Sequence, residues 1–313
     1  MKRSGALVDY ASSEDDEEQI KPVEEPVTKK RKLPALAFNL VVSAPVDNPA
    51  IHQGRLRSSP HVEGQFAAYV YVPVRIPPTS MLGSLVNNAF HHAVDIVSIL
   101  HPIGDTNIEP DERELHISLT RPMYLRAHQR EEFRTAVRVV GGQQKAFSAS
   151  FANFAELTND ERTRTFLTIE VGAGHRELEA LCNALAPTLR SYRQKEFYEK
   201  PRFHASIAWA LLAQSTSTEF KPTSPSPSNN VDDSTHPLEQ ATTSAKQDNL
   251  TAQLAVSSAG FPAILRFPDS LLPGLEQEFG ITLRSRHVSA FEAEHICVKI
   301  GKDVYKFRLK GGI

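Results

Sequence analysis

Two short runs of the sequence share one pattern: residues 115–120 read Leu-His-Ile-Ser-Leu-Thr, and residues 203–208 read Phe-His-Ala-Ser-Ile-Ala. Successive side chains of a strand point to opposite faces, so the histidine and serine of each run share one face and the apolar residues take the other. Imidazole and hydroxyl groups can serve as general acid, general base and anion stabiliser. A fold that brings both strands to one cleft would therefore hold a site suited to phosphoryl transfer.

The ordered part of the chain reads as a mixture of strands and helices. In each half, a strand and then apolar residues at helical spacing come before the His-x-Ser run. The expected elements are strands over residues 68–74 and 165–171, helices over 80–100, 129–140 and 175–193, and a terminal hairpin over 296–301 and 303–309. Because the two halves repeat one order, we expect duplicated lobes that face each other and bring the two His-x-Ser strands together.

Glycine and proline mark the expected ends and breaks of these elements. Gly141 and Gly142 follow the second helical pattern and predict a turn. Pro187, which has no amide hydrogen, is expected to interrupt the third. Trp209 lies at an odd offset from His204, which places it on the opposite face of the strand and favours core packing.

Two stretches fall outside this periodic pattern. Residues 1–55 are predicted to be a disordered tail, because they hold prolines and acidic blocks, with eight acidic against three basic side chains in residues 1–28. The formal net charge of −2 therefore leaves +3 on the remainder, which is compatible with a polyanionic substrate. Within the tail, Lys29-Lys30-Arg31-Lys32 fits a nuclear-import signal, although a solvated charge run is the alternative. Residues 214–252, rich in serine and proline, predict a disordered insertion in a domain that spans 56–313.

Several classes of protein are disfavoured. No window approaches the roughly 18 consecutive apolar residues of a membrane helix, and the N-terminus lacks the apolar stretch of a secretory signal, so we expect a soluble intracellular protein. We also expect a monomer. Cys182 and Cys297 have no metal-ligand spacing around them and are interpreted as reduced core residues. His91 and His92 are adjacent and would point in different directions on a helix, which argues against a metal pair. No metal and no cofactor are expected.

The runs His116-Ile117-Ser118 and His204-Ala205-Ser206 resemble the twin His-x-Ser/Thr motifs of the 2H phosphoesterase superfamily. Further stretches narrow the resemblance to its Usb1-type U6 small nuclear RNA phosphodiesterases. These stretches are residues 57–64 (Arg-Ser-Ser-Pro-His-Val-Glu-Gly), 163–166 (Thr-Arg-Thr-Phe), Phe197-Tyr198 with Pro201, 207–209 (Ile-Ala-Trp) and 296–301 (Ile-Cys-Val-Lys-Ile-Gly). The resemblance covers residues 55–212 and 285–311.

The resemblance implies a bilobal α+β fold, in which two pseudo-symmetric lobes with antiparallel sheets line a central groove and helices lie outside. It also implies 3′-to-5′ trimming of the uridine-rich tail of U6 snRNA by a metal-independent exoribonuclease in the nucleus. RNA carries a nucleophile, the 2′-hydroxyl, beside each phosphodiester, so His116 and His204 could make both proton transfers. Ser118 and Ser206 would then stabilise the non-bridging oxygens. The product is a 2′,3′-cyclic phosphate, or a 3′-phosphate if the ring opens.

A pseudo-symmetric site offers either assignment of acid and base, and we favour His204 as base and His116 as acid. Tyr198 stands where relatives place an aromatic that stacks on the terminal base, and a half-buried packing tyrosine is the alternative. Arg164 and Arg202 are candidates for phosphate contacts, although each could be merely solvated. Two other functions stay open: another 2H activity, such as cyclic-phosphate opening or cleavage of 2′,5′ bonds, and a non-catalytic RNA-binding or splicing scaffold.

Overall fold

The strands and helices follow the predicted order, with several elements added. The computed structural model describes residues 48–57, 62–104, 113–213, 254–257 and 259–312. In chain order the elements are β1 (Gln65–Ile76), α1 (Met81–Ile96), β2 (His101–Pro102), β3 (Arg113–Ser118), β4 (Met123–Arg126), α2 (Arg130–Gln143), β5 (Phe147–Thr158), β6 (Arg164–Val171), α3 (His175–Ser191), β7 (His204–Leu211), β8 (Leu254–Val256), β9 (Pro262–Ile264), α4 (Leu271–Arg284), α5 (Arg286–Ser289), β10 (Ala290–Ala293), β11 (His295–Ile300) and β12 (Asp303–Arg308). The α+β class is confirmed.

Ten of the described strands form one sheet. Its order is β10-β5-β6-β7-β3-β1-β11-β12, with β2 beside β7 and β4 beside β1, while β8 and β9 form a separate hairpin. The order divides into two halves of four strands that meet where β7 lies beside β3. One half holds the unit β1–α1–β3 and the other holds β6–α3–β7, and in each unit the two strands pair antiparallel. The two expected lobes are therefore joined into one continuous sheet through the strands that carry the His-x-Ser runs.

The apolar face of this sheet forms the core. Val70 and Val72 on β1, Ile117 on β3 and Ala205 on β7 are fully buried and alternate with residues that point to the other face. Helices α1 to α4 add their apolar stripes to the same cluster, with α2 against β11 and β12 and α4 against β5. Each large aliphatic side chain buried in this way stabilises the fold by about 1.5–3 kcal/mol. The opposite face is left to the polar residues of the His-x-Ser runs.

Two predicted breaks in the helices are wrong. Gly141 and Gly142 lie inside α2, so there is no turn at this point. A Cβ atom at Gly141 would lie 2.9 Å from Cγ2 of Ile296, so this glycine allows α2 to approach β11 closely. Pro187 lies inside α3, which continues to Ser191, so it does not interrupt the helix.

The cysteines lie where the pattern placed them. Cys182 is in α3 and Cys297 is in β11, and both are buried and unpaired, which confirms that they are reduced core residues. None of the helices in the described ranges is long and apolar enough to cross a membrane.

The two segments predicted to be disordered lie almost wholly outside the described residues, and their disorder remains a prediction. The same holds for the basic cluster at residues 29–32. At the end of the predicted tail, the structure describes a 3-10 helix, Pro49–His52, followed by the buried Gly54. A Cβ atom on Gly54 would contact Leu211 and Phe261, so this part of the tail range packs against the folded unit.

Candidate functional site

The pairing of β3 with β7 sets the geometry of the two His-x-Ser runs. The strands are antiparallel, and Ile117 lies opposite Ala205. His116 therefore lies opposite Ser206 and Ser118 opposite His204, all on the face away from the buried Ile117 and Ala205. Cβ atoms of directly opposite residues are about 4.5–5.5 Å apart and diagonal neighbours are about 7–8 Å apart. The structure thus brings the four predicted side chains, here called the quartet, to one place.

His116 lies among aromatic rings of β1. The ring centroid of Tyr71 is 5.5 Å from that of His116 in an edge-on arrangement, and the centroid of Tyr69 is 5.8 Å away. Burial, together with the nearby charges of His204 and Lys299, lowers the pKa of His116 to about 4. Without a bound anion, His116 is therefore neutral at pH 7.

His204 is held by its own backbone neighbourhood. Its Nδ1 atom lies 2.6 Å from the carbonyl oxygen of Arg202. Because a carbonyl can only accept, Nδ1 carries the proton, and the lone pair of a neutral ring is on Nε2. Burial lowers the pKa of His204, while this hydrogen bond and the charge of Glu170 act in the opposite direction.

Glu170 lies opposite His204 on β6 and forms part of a hydrogen-bonded group. Asn153 Nδ2 donates to Oε2 of Glu170 at 2.7 Å, and Arg202 Nε donates to Oε1 at 2.6 Å. Burial alone would raise the pKa of Glu170, but these two donors hold it below its ordinary value. A carboxylate therefore stays ionised beside His204, where it can stabilise an imidazolium.

A β-bulge lies within the second His-x-Ser strand. Thr168 pairs with Ser206 and Leu167 pairs with Ala208, which leaves Ile207 as an extra residue. The carbonyl of Ile207 accepts from the amide of Ile103 at 2.9 Å. Bulges re-aim the side chains that follow them, so the strict alternation used for this strand no longer applies.

The bulge makes the predicted orientation of Trp209 wrong. Trp209 pairs with Phe166, and Phe166 shares its face of β6 with Glu170, so Trp209 lies on the same face as His204. It is nevertheless only 4% exposed, as the core-packing prediction expected. Its ring stacks on His101 with centroids 4.5 Å apart.

Tyr198 is accessible in the loop between α3 and β7. Its side chain is 42% exposed, and its hydroxyl donates to Asp160 at 3.0 Å. The guanidinium of Arg121 lies 3.9 Å from the ring centroid and pairs with Asp160 at 3.1 Å. One face of the ring is therefore covered by a cation. The tyrosine is exposed, but its position is fixed by its contacts with Asp160 and Arg121.

The two predicted arginines lie in different places. Arg202 pairs with Glu170 beside His204. Arg164 is six residues from Glu170 along β6, which corresponds to about 20 Å in a strand. Burial and the charge of Arg55 lower the pKa of Arg164, which lies in a small cleft beside Leu211. The structure does not place Arg164 with the quartet.

Several neighbours of the quartet were missed by the sequence analysis. Tyr69 and Tyr71 alternate with valines in β1, and this period-two pattern could have indicated their common face. Asn153 was harder to find, because β5 was not predicted at all. Glu170 lies in the predicted strand 165–171, but nothing local shows that this strand pairs with β7. In the described ranges, no group of three or more His, Cys, Asp or Glu residues is arranged to hold a metal ion.

Comparison with known proteins identifies the family. A family model described as "HVSL: Uncharacterised conserved protein" matches residues 32–308. The U6 snRNA phosphodiesterase 1 of Drosophila melanogaster is 30% identical over 228 residues, which cover 67% of this chain and 84% of that protein. The chain belongs to the U6 snRNA phosphodiesterase family. The resemblance of the twin motifs to the U6 snRNA phosphodiesterases is thereby confirmed.

One more curated protein and one solved structure are also similar to this chain. The U6 snRNA phosphodiesterase 1 of Homo sapiens is 30% identical over 172 residues, 53% of this chain and 59% of that protein. A solved structure, Usb1 of Kluyveromyces marxianus with uridine monophosphate, is 14% identical with a TM-score of 0.49, and the match covers 78% of this chain and 98% of that one.

Proposed function

We propose that this member of the U6 snRNA phosphodiesterase family is a 3′-to-5′ exoribonuclease that trims the oligouridine tail of U6 snRNA in the nucleus. The observation that carries the proposal is the register of β3 and β7, which sets two imidazoles and two hydroxyls around one point. Family membership supports RNA as the substrate, because the relatives are named as U6 snRNA phosphodiesterases.

The tautomer of His204 supports its role as the base. With Nδ1 bonded to the carbonyl of Arg202, Nε2 takes the proton of the 2′-hydroxyl on the penultimate nucleotide. The 2′-oxygen attacks phosphorus, the bond from phosphorus to the 5′-oxygen breaks, and His116 gives a proton to that oxygen. The products are an RNA ending in a 2′,3′-cyclic phosphate and a nucleoside with a 5′-hydroxyl.

The electrostatics of the quartet fit these roles. His116 has a low pKa in the unliganded protein, and a bound phosphodiester anion favours its charged form, so substrate and proton bind together. Glu170 stabilises the imidazolium that forms on His204. The hydroxyls of Ser118 and Ser206 donate to the non-bridging oxygens, where negative charge develops.

The exposed ring of Tyr198 supports stacking on the terminal base. The base can stack on the ring face opposite Arg121, or on the face that Arg121 covers if it displaces that guanidinium. Arg202 supports contact with phosphate next to His204. Arg164 is better suited to a structural role, since it lies about 20 Å along β6 from Glu170.

Mass spectrometry of the 3′ ends left on a uridine-tailed RNA tests the proposal. We expect fragments shortened by single nucleotides that end in a cyclic phosphate or a 3′-phosphate. A 2′,5′-linked dinucleotide and a cyclic nucleotide are assayed beside it. Faster turnover of either would indicate another 2H activity, and RNA binding without any cleavage would indicate a scaffold.

A further inference from the structure

Cationic side chains continue from the quartet across one half of the sheet. Tyr71 on β1 pairs with Ser118 on β3 and with Cys297 on β11. Cys297 in turn pairs with Lys306 on β12. Arg308 follows Lys306 by two residues and therefore shares its face. The row that begins at Ser118 thus leads, strand by strand, to two exposed cations.

The charges of this face lie close together, because His295 pairs directly with Arg308 and Cys297, two residues further on, pairs with Lys306. Lys299, which pairs with Tyr69, contributes to the low pKa of His116. The pKa of His295 is lowered first by burial and then by Lys306, with smaller effects in the same direction from Arg308 and Arg75. Only Glu294 opposes them at His295. Glu114, which shares the face of His116 on β3, acts in the opposite direction on Tyr71 and Cys297. The positive charge of this surface is therefore carried by Lys299, Lys306 and Arg308, towards β11 and β12.

The cations in the two halves differ in their partners. Within the described residues, Lys299, Lys306 and Arg308 form no ion pair, and Arg75 approaches Glu114 only at 3.9 Å. On the other side of the quartet, Arg202 is paired with Glu170 at 2.6 Å. Arg121 is likewise paired with Asp160. In the part of the chain that the structure describes, the β11–β12 side therefore has three cations without a carboxylate partner, whereas Arg202 and Arg121 on the other side each have one.

This surface ends at a cleft of about 480 Å³. Arg75, His295 and Lys306 line the cleft together with the acidic Glu292 and Glu294 and with apolar residues such as Phe291. Its volume lies within the range of about 300–1,000 Å³ that is typical of ligand sites. The cleft is therefore large enough for a nucleotide, whose phosphate would lie on the side of Arg75 and Lys306.

We infer that the RNA upstream of the cleaved bond lies on the surface of β1, β11 and β12, with its phosphodiesters at Lys299, Lys306 and Arg308 and one nucleotide in the cleft. The inference rests on the proposed function. One phosphodiester joins the two final nucleosides, and it lies within the quartet. Cations beyond the quartet can therefore be matched only by phosphates further upstream.

The double variant Lys306→Gln/Arg308→Gln tests the inference. The kinetics of a dinucleotide, UpU, are compared with those of an oligouridine of about eight nucleotides. We expect KM to rise roughly tenfold for the long RNA and to stay unchanged for the dinucleotide, with kcat unchanged for both. The slope of log KM for the long RNA against log salt should fall by about 0.7 for each contact removed.

Arg138→Gln is the matched control, because Arg138 is an exposed residue of α2, which packs on the other face of the same two strands. This variant should change KM and kcat for neither RNA. An equal change for both RNA lengths, or no change for either, would overturn the inferred RNA path. If the wild type cleaves neither RNA, the proposed function fails instead, and fluorescence anisotropy of the same RNAs still decides the path from binding alone.

Discussion

Two histidines with the same ordinary pKa are held in different surroundings. His116 is enclosed by tyrosine rings and neighbouring positive charge, so its neutral form is strongly favoured. His204 is bonded to a backbone carbonyl and lies opposite an ionised Glu170, so its tautomer is fixed. The residues around each ring therefore divide the acid and base roles between two chemically identical groups.

Removal of either imidazole should abolish trimming. His116→Ala and His204→Ala are each expected to lower kcat by about 10²–10⁴-fold, the usual contribution of general acid–base catalysis, while RNA binding is largely retained. Single-turnover cleavage and anisotropy titration measure the two effects. Cleavage at the wild-type rate by either variant would show that its imidazole transfers no proton.

The low pKa of His116 makes the stability of the protein depend on pH. The unfolded chain binds the proton near pH 6.5, but the folded protein does not bind it until about pH 4. Unfolding therefore takes up a proton in this window, and stability falls as the pH falls through it. Between pH 7 and pH 4 the wild type should lose about 3 kcal/mol more than His116→Gln does. Denaturant unfolding at a series of pH values measures this difference, and parallel curves for the two proteins would contradict it.

The ring and the hydroxyl of Tyr198 can be separated by substitution. Tyr198→Phe keeps the ring and removes the hydrogen bond to Asp160, so we expect an unchanged KM. Tyr198→Ala removes the stacking surface and should raise KM by an amount equivalent to about 1–3 kcal/mol. Steady-state kinetics of the two variants on a uridine-tailed RNA measure these changes in KM. A similar loss in both variants would assign Tyr198 to packing of its loop.

Among the elements, strand β7 is distinguished by its β-bulge, which is held by a side chain from β3. Arg113, at the start of β3, donates to the carbonyls of Ile103 and Ile207, the second at 2.8 Å. Burial lowers the pKa of Arg113. Its side chain covers Gly104, where a Cβ atom would lie 2.5 Å from Arg113 Cγ. Arg113 therefore fixes the bulge that brings Trp209 to the same face as His204 and Ser206.

Arg113→Met should lower both stability and turnover. Methionine retains the aliphatic volume, but the carbonyl of Ile103 loses its charged donor and that of Ile207 keeps one donor of two. We expect a loss of about 2–3 kcal/mol in the free energy of unfolding. A lower kcat should follow, because Ser206 is directly bonded to Ile207, the residue that Arg113 holds in place. The exposed Arg138→Met should stay within about 0.5 kcal/mol of the wild type. An Arg113 variant that matches this control would exclude the proposed anchoring.

Local patterns predicted some elements and failed for others. β3 and β7 were recognisable because the alternation of His and Ser with apolar residues is a direct consequence of strand geometry. The same rule failed at Trp209, because a bulge held by Arg113, nearly a hundred residues away, leaves no local signal. β5 was missed because its buried residues, such as Phe151 and Phe154, do not alternate strictly. Gly141 was misread because a glycine needed for close approach looks the same as a glycine needed for a turn.

At the scale of the whole molecule, the active face is assembled from distant segments. The strand–helix–strand repetition predicted two similar halves, and both are present. What the repetition could not show is that the C-terminal hairpin β11–β12 joins the N-terminal half through β1, or that β10 joins β5 at the far edge. Such pairings depend on tertiary contacts between segments that are remote in sequence. The resulting single sheet fixes the quartet at the boundary of the two halves.

The central claim is that the two halves act together on one phosphodiester by means of the neighbouring 2′-hydroxyl. It is tested most directly by the single-turnover cleavage rate of an oligouridine with a 2′-deoxy group at the penultimate nucleotide only, compared with the all-ribose RNA. We predict that the deoxy RNA binds but is not cleaved, because the nucleophile is absent while every phosphate is kept. Cleavage of both RNAs at the same rate would contradict the account.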